Sequence, residues 1–118
     1  CVPISNITEC VNFAEEQAKK FGLRAPMVGH LGDGNFHVIL PYDPAKKEMY
    51  DKIREFNDLL IKKGLELNGT ITGEHGVGLH KKKYLLEQHA DNIPVMKSIK
   101  RTLDANNIMN PGKIFDLN

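Results

Sequence analysis

Residues 29–37 read GHLGDGNFH, and this stretch decides the fold. Asp33-Gly34 at its centre is the strongest two-residue turn signal in the chain, because a type I′ hairpin needs positive φ at both central positions, which Asp and Gly tolerate best. With these two residues as the loop, Leu31 faces Phe36 and His30 faces His37. Directly opposed residues of an antiparallel pair hold their Cβ atoms roughly 4.5 to 5.5 Å apart, so two imidazoles can converge on one metal ion. A longer loop centred on the same dipeptide is expected to keep that pairing. The flanking strands are expected over residues 25–32 and 35–40. Met27, Leu31, Phe36, Val38 and Leu40 then form the core face, and Val28 and Ile39 share the histidine side.

Upstream, Ile7, Val11, Ala14, Ala18 and Phe21 fall on one helical face, which predicts a helix over 6–21 with Ser5 as N-cap and Gly22 as its stop. Downstream, Asp43-Pro44 reads as the start of a second helix, continued by Met49, Ile53, Phe56 and Leu60 up to Gly64. Residues 65–72, with the β-prone Thr70-Ile71-Thr72, read as a third strand. The glycine-bracketed Gly73-Glu74-His75-Gly76-Val77-Gly78 follows. Helices are expected at 79–88 and 94–105, the latter with Val95, Ile99 and Leu103 inward. This order is that of an α+β, ferredoxin-like antiparallel sheet with helices on one face, lacking its first strand and carrying extra C-terminal helices. The missing strand is expected upstream of Cys1, in a longer protein from which residues 1–118 form one substrate and metal domain.

Composition sets outer limits. With 118 residues, 41% of them apolar, the chain can bury a core without staples. Sixteen basic against fifteen acidic residues leave a net charge of +1, which argues against a nucleic-acid-binding surface. Cys1 and Cys10 read as reduced thiols rather than a disulfide framework. No stretch resembles a signal peptide or a transmembrane segment, and the resulting expectation is a cytoplasmic protein.

Two opposed histidines call for a third ligand, and Glu74 is the carboxylate in the glycine-bracketed loop. Two imidazoles and a carboxylate suit Zn²⁺, Mn²⁺ or Fe²⁺ and leave positions open for substrate. The blander alternatives are that Glu74 caps the following helix and that His75 braces Glu74. Lys82 and Lys83 read as a solvated face, and His80 and His89 carry no assignment.

GHLGDGNFH, TGEHGVG with Lys81 three residues beyond, and NPGKIF near the end occur in the order found in the C-terminal part of the FAD-linked oxidases. The chain resembles this family over most of its length, including its D-2-hydroxyglutarate dehydrogenases, D-lactate dehydrogenases and glycolate oxidase D subunits. The resemblance implies that His30, His37 and Glu74 bind the divalent metal and that His75 is the general base. It also implies that the NPGKIF residues Asn110, Gly112 and Lys113 lie near the FAD and that Lys81 meets an anionic substrate. Ile39 stands where 2-hydroxyglutarate-type members carry a polar Asn, which argues against a dicarboxylate. The implied function is oxidation of a small 2-hydroxy acid of the glycolate or D-lactate type, with FAD held mainly by a separate FAD-binding domain. The fragment alone is expected to be inactive and flavin-free; a homo-oligomer is compatible with it. Without the resemblance, residues 76–83 also support a non-catalytic α+β module that binds a phosphate or nucleotide. A metal-dependent hydrolase or oxygenase is a third reading of the same ligand set.

Overall fold

Helix α1 (Ile7–Phe21) lays Cys10, Ala14 and Ala18 on its buried face. Small side chains there let helix α2 (Lys47–Glu66) approach closely and insert Phe56, which is 1% exposed. Phe21 meets the Phe56 ring edge-on with centroids 6.4 Å apart. Gly22 ends α1 at φ 65°, with its own N–H and that of Leu23 returning to the carbonyls of Lys19 and Ala18, a Schellman stop. The start differs from expectation: Ser5 lies in a short 3-10 turn, and Asn6 takes the N-cap position.

The computed structural model describes all 118 residues, in two compact units, Cys1–Glu74 and His75–Asn118. The architecture is mixed α+β, with a two-stranded antiparallel sheet and helices, consistent with a partial ferredoxin-like fragment. Strands β1 (Met27–Val28) and β2 (His37–Val38) are much shorter than the sequence suggested. Met27, Phe36, Val38 and Leu40 pack, as expected, on the core of Ala14, Ala18 and Phe56. Leu31 does not; it is 53% exposed.

The register also differs. Met27 pairs with Val38 and Val28 with His37, so Val28 rather than His30 faces His37. The cause is the connection: Leu31–Asp33 form a 3-10 turn closed by Asp33 N–H on the His30 carbonyl, and only Gly34 adopts positive φ, at 71°. A type I′ turn would need it at Asp33 too. Gly34 is fixed from outside as well, since its carbonyl accepts the Val2 N–H at 2.9 Å and a side chain there would collide with the Val2 carbonyl.

Asp43 proves to cap a turn rather than α2, accepting the Ala45 N–H on its carboxylate and the Lys46 N–H on its carbonyl. Lys46 is the N-cap of α2. At its other end α2 runs past Gly64 to Glu66, and Asn68 at φ 58° turns the chain. One glycine costs a helix only about 1 kcal/mol, which neighbouring packed residues offset. The expected third strand is not formed: residues 65–66 belong to the helix, and in the loop beyond the Thr70 N–H donates to the Cys1 carbonyl. Ile71 is nevertheless buried.

In the second unit, helix α3 (Lys82–His89) leads through a 3-10 turn to helix α4 (Ile93–Leu103). Both are shorter than the sequence pattern suggested. Val77, Tyr84, Leu85 and Ile93 are buried. Val95, Ile99 and Leu103, expected inward, are exposed at 61%, 55% and 73%. The residues after α4 fold back: Arg101 donates to the Leu117 carbonyl and Lys97 to that of Asn118.

Candidate functional site

Strand alternation turns Val38 into the core and His37 to the opposite face, where Val28 and Ile39 are half-exposed neighbours in the register. The loop after α2 returns Glu74 to this place. Glu74 Oε1 lies 3.1 Å from His37 Nε2. Its other oxygen, Oε2, accepts a hydrogen bond of 2.9 Å from Asn35 Nδ2. Asn35 is itself buried, and its Oδ1 accepts from the Cys1 thiol at 3.3 Å. The structure thus brings together His37 and Glu74, both named from the sequence, and adds Asn35, which was not. The available signal was a polar residue placed directly after the turn glycine in a stretch that must otherwise go under the sheet.

His30 is an exposed residue at the head of the 3-10 turn, its carbonyl accepting from Asp33 and Asn35, and the cross-strand argument for it does not hold. His75 follows Glu74 in the chain and opens the second unit.

The second unit joins two of the sequence motifs. Ile114 N–H donates to the Gly78 carbonyl at 2.8 Å, tying NPGKIF to the glycine loop. Lys82, expected to be solvated, reaches the Gly112 carbonyl at 3.1 Å and the Asp116 carboxylate at 2.7 and 2.9 Å. Lys83 lies over the Tyr84 ring at 4.5 Å. Lys81 is half-buried beside the α3 start, and burial holds its ammonium below the ordinary lysine range. Asn110, Gly112 and Lys113 line one cleft with Met109 and Phe115. Asn110 and Ile114 both take positive φ, at 47° and 69°. Asn tolerates that region; for β-branched Ile it is an outlier held by the surrounding contacts.

The chain is mixed α+β and brings an imidazole and an oriented carboxylate together on a strand face. Residues 1–114 match the family of FAD linked oxidases, C-terminal domain. The chain belongs to this family. It is 40% identical over 116 residues to a mitochondrial D-lactate dehydrogenase [cytochrome] of Arabidopsis thaliana, covering 98% of this chain and 20% of that protein. It is 38% identical over 115 residues to glycolate oxidase subunit GlcD of Bacillus subtilis, covering 97% of this chain and 24% of that protein. With a D-2-hydroxyglutarate dehydrogenase of Stutzerimonas stutzeri it shares 41% identity over 90 residues, 74% of this chain and 19% of that protein. The chain therefore spans only about a fifth to a quarter of the length of these relatives. No helix is long and apolar enough to cross a membrane.

Proposed function

We propose that this chain is the substrate- and metal-binding part of an FAD-dependent oxidoreductase that converts a 2-hydroxy acid of the glycolate or D-lactate type to the 2-oxo acid. The observation that carries the reading is the imidazole nitrogen of His37 set 3.1 Å from one oxygen of Glu74, whose other oxygen is already engaged. An imidazole and a carboxylate form a nitrogen and oxygen donor set suited to Zn²⁺, Mn²⁺ or Fe²⁺. His37 and Glu74 are the principal ligands, with His30 contributing from the 3-10 turn that it heads.

A divalent cation held there supplies Lewis acidity, lowering the pKa of a substrate hydroxyl as it does that of water. Flavin, held mainly by a separate FAD-binding domain, supplies the hydride acceptor. The chain's own residues do the rest. His75 accepts the hydroxyl proton at an imidazole nitrogen, the group most often used as a general base. Lys81 pairs with the substrate carboxylate. Val28 and Ile39, apolar neighbours of His37, favour a short aliphatic acid over a dicarboxylate. Asn110, Gly112 and Lys113 border the flavin. The D-lactate dehydrogenase and glycolate oxidase names of relatives with near-complete coverage of this chain support that substrate class. The mitochondrial D-lactate dehydrogenases among these relatives make cell fractionation the test of the cytoplasmic placement expected from the sequence.

In the full-length enzyme, Glu74→Ala is expected to weaken metal affinity, with activity partly restored by excess metal. His75→Ala is expected to retain the metal and lower turnover by about 10² to 10⁴-fold, the range for a positioned proton acceptor. Equal metal loss and equal rescue in the two variants would make His75 a ligand or a brace rather than the base. A native enzyme that binds no divalent metal would remove the metal from the reading altogether. The rival phosphate-binding module is disfavoured by Lys82, whose ammonium is already taken by Gly112 and Asp116.

A further inference from the structure

We infer that Asn35 is the positioning residue that selects which oxygen of Glu74 serves as ligand, an inference that rests on Glu74 being a metal ligand as proposed above. Asn35 is only 8% exposed, so its amide must find partners inside the protein. It has two of opposite kind. The Cys1 thiol donates to Oδ1 at 3.3 Å, while Nδ2 donates to Glu74 Oε2 at 2.9 Å. Turning the amide over would set Oδ1 against a carboxylate oxygen, two acceptors with no proton between them, so the pair of neighbours admits one orientation.

The backbone under Asn35 is equally fixed. Its N–H reaches the His30 carbonyl at 3.3 Å, and the preceding Gly34 sits in the left-handed region with its carbonyl held by Val2. A rigid donor thus occupies Oε2 through a hydrogen bond to a charged group, which is about twice as strong as a neutral one. Oε1 is the oxygen turned toward His37 Nε2, 3.1 Å away. Without Asn35, Oε2 loses this donor, the carboxylate is less narrowly oriented, and part of its ordering must be made up when an ion binds. Partners that orient metal ligands in this way typically change affinity by about 10- to 100-fold.

The test uses the full-length enzyme with Asn35→Ala, titrating Mn²⁺ and Zn²⁺ against a chromophoric chelator and melting the metal-free protein separately. The expected result is about 10- to 100-fold weaker binding of both ions, an unchanged metal-free melting temperature, and activity regained in excess metal. Unchanged affinity overturns the inference while leaving Glu74 a ligand. An affinity loss matched by a lower metal-free melting temperature also overturns it, because Asn35 then only holds the loop together. If the Ala variant does not fold, Asn35→Ser, which keeps a small polar group too short to reach Glu74, is read the same way; failure of both to fold assigns Asn35 a structural role and overturns the inference. A native enzyme that binds neither ion overturns the reading of Glu74, and this inference with it.

Discussion

The two units use the same kind of helix for opposite ends. In the first, the apolar face of α1 is buried to a few percent at Cys10, Ala14 and Ala18 because α2 brings Phe56 against it. In the second, the apolar stripe of α4 at Val95, Ile99 and Leu103 is more than half exposed, although its periodicity is as regular as that of α1. The polar ends of the two helices differ as well. On α1 they form exposed pairs, Glu15 with Lys19 and Glu16 with Lys20, whereas on α4 the last turn organises the following loop. Asp104 accepts from Lys100, and the Ile108 and Met109 N–H groups donate to its carboxylate at 3.0 Å each. The contrast teaches that periodicity states which face is apolar, and that only packing states what covers it.

The largest expected effect lies at the buried end of this contrast. Phe56→Ala removes the side chain that α1 closes upon and is expected to cost about 3–5 kcal/mol, read as a fall in the urea midpoint. A loss below about 1 kcal/mol would mean that α1 and α2 are not held by Phe56.

A smaller effect is expected from acid at Asp104. The Lys100 ammonium, and then the two backbone amides, hold its carboxyl below the ordinary Asp range. The unfolded chain therefore takes up this proton first as pH falls. The stabilisation is complete above the ordinary Asp pKa of about 3.9 and drains away below it, through the lower folded value. Amide protection at Ile108 and Met109 should follow that course, and Asp104→Asn should remove the pH dependence. Protection that is the same in the variant and the native chain across this range would show that the loop does not depend on the carboxylate.

The smallest effect tests the exposed end. Ile99→Ser on α4 is expected to change the stability of this chain by no more than about 0.5 kcal/mol, as for other surface substitutions. A loss approaching that of Phe56→Ala would show that the α4 stripe is covered after all.

The residues that meet at His37 were in part legible because they are marked by local chemistry. The glycines around residues 73–78 and the turn at Asp33-Gly34 announce irregular backbone, and His37 and Glu74 are the groups such a backbone would present. The difference in the pairing of His37 has a definite physical source. Turn propensity identified the bend but not its length, and a 3-10 turn at Leu31–Asp33 moved the register so that Val28 took the place opposite His37. Asn35 escaped notice because its role depends on Glu74, far along the chain, and on Cys1.

From the sequence alone, the α+β class, the four helices, the stop at Gly22, the inward set of Met27, Phe36, Val38 and Leu40, and the family resemblance could be determined, since each rests on periodicity, on a residue's own backbone preference or on the order of motifs. The tertiary structure decided what depends on partners distant in sequence. It carried α2 through Gly64, because packing along a helix outweighs one glycine's weak preference. It left residues 65–72 without a strand, because α2 runs on through Glu66 and Asn68 turns the chain at positive φ. It also set the Asn35 amide on one oxygen of Glu74, because a buried donor must find an acceptor and no pattern along the chain says which.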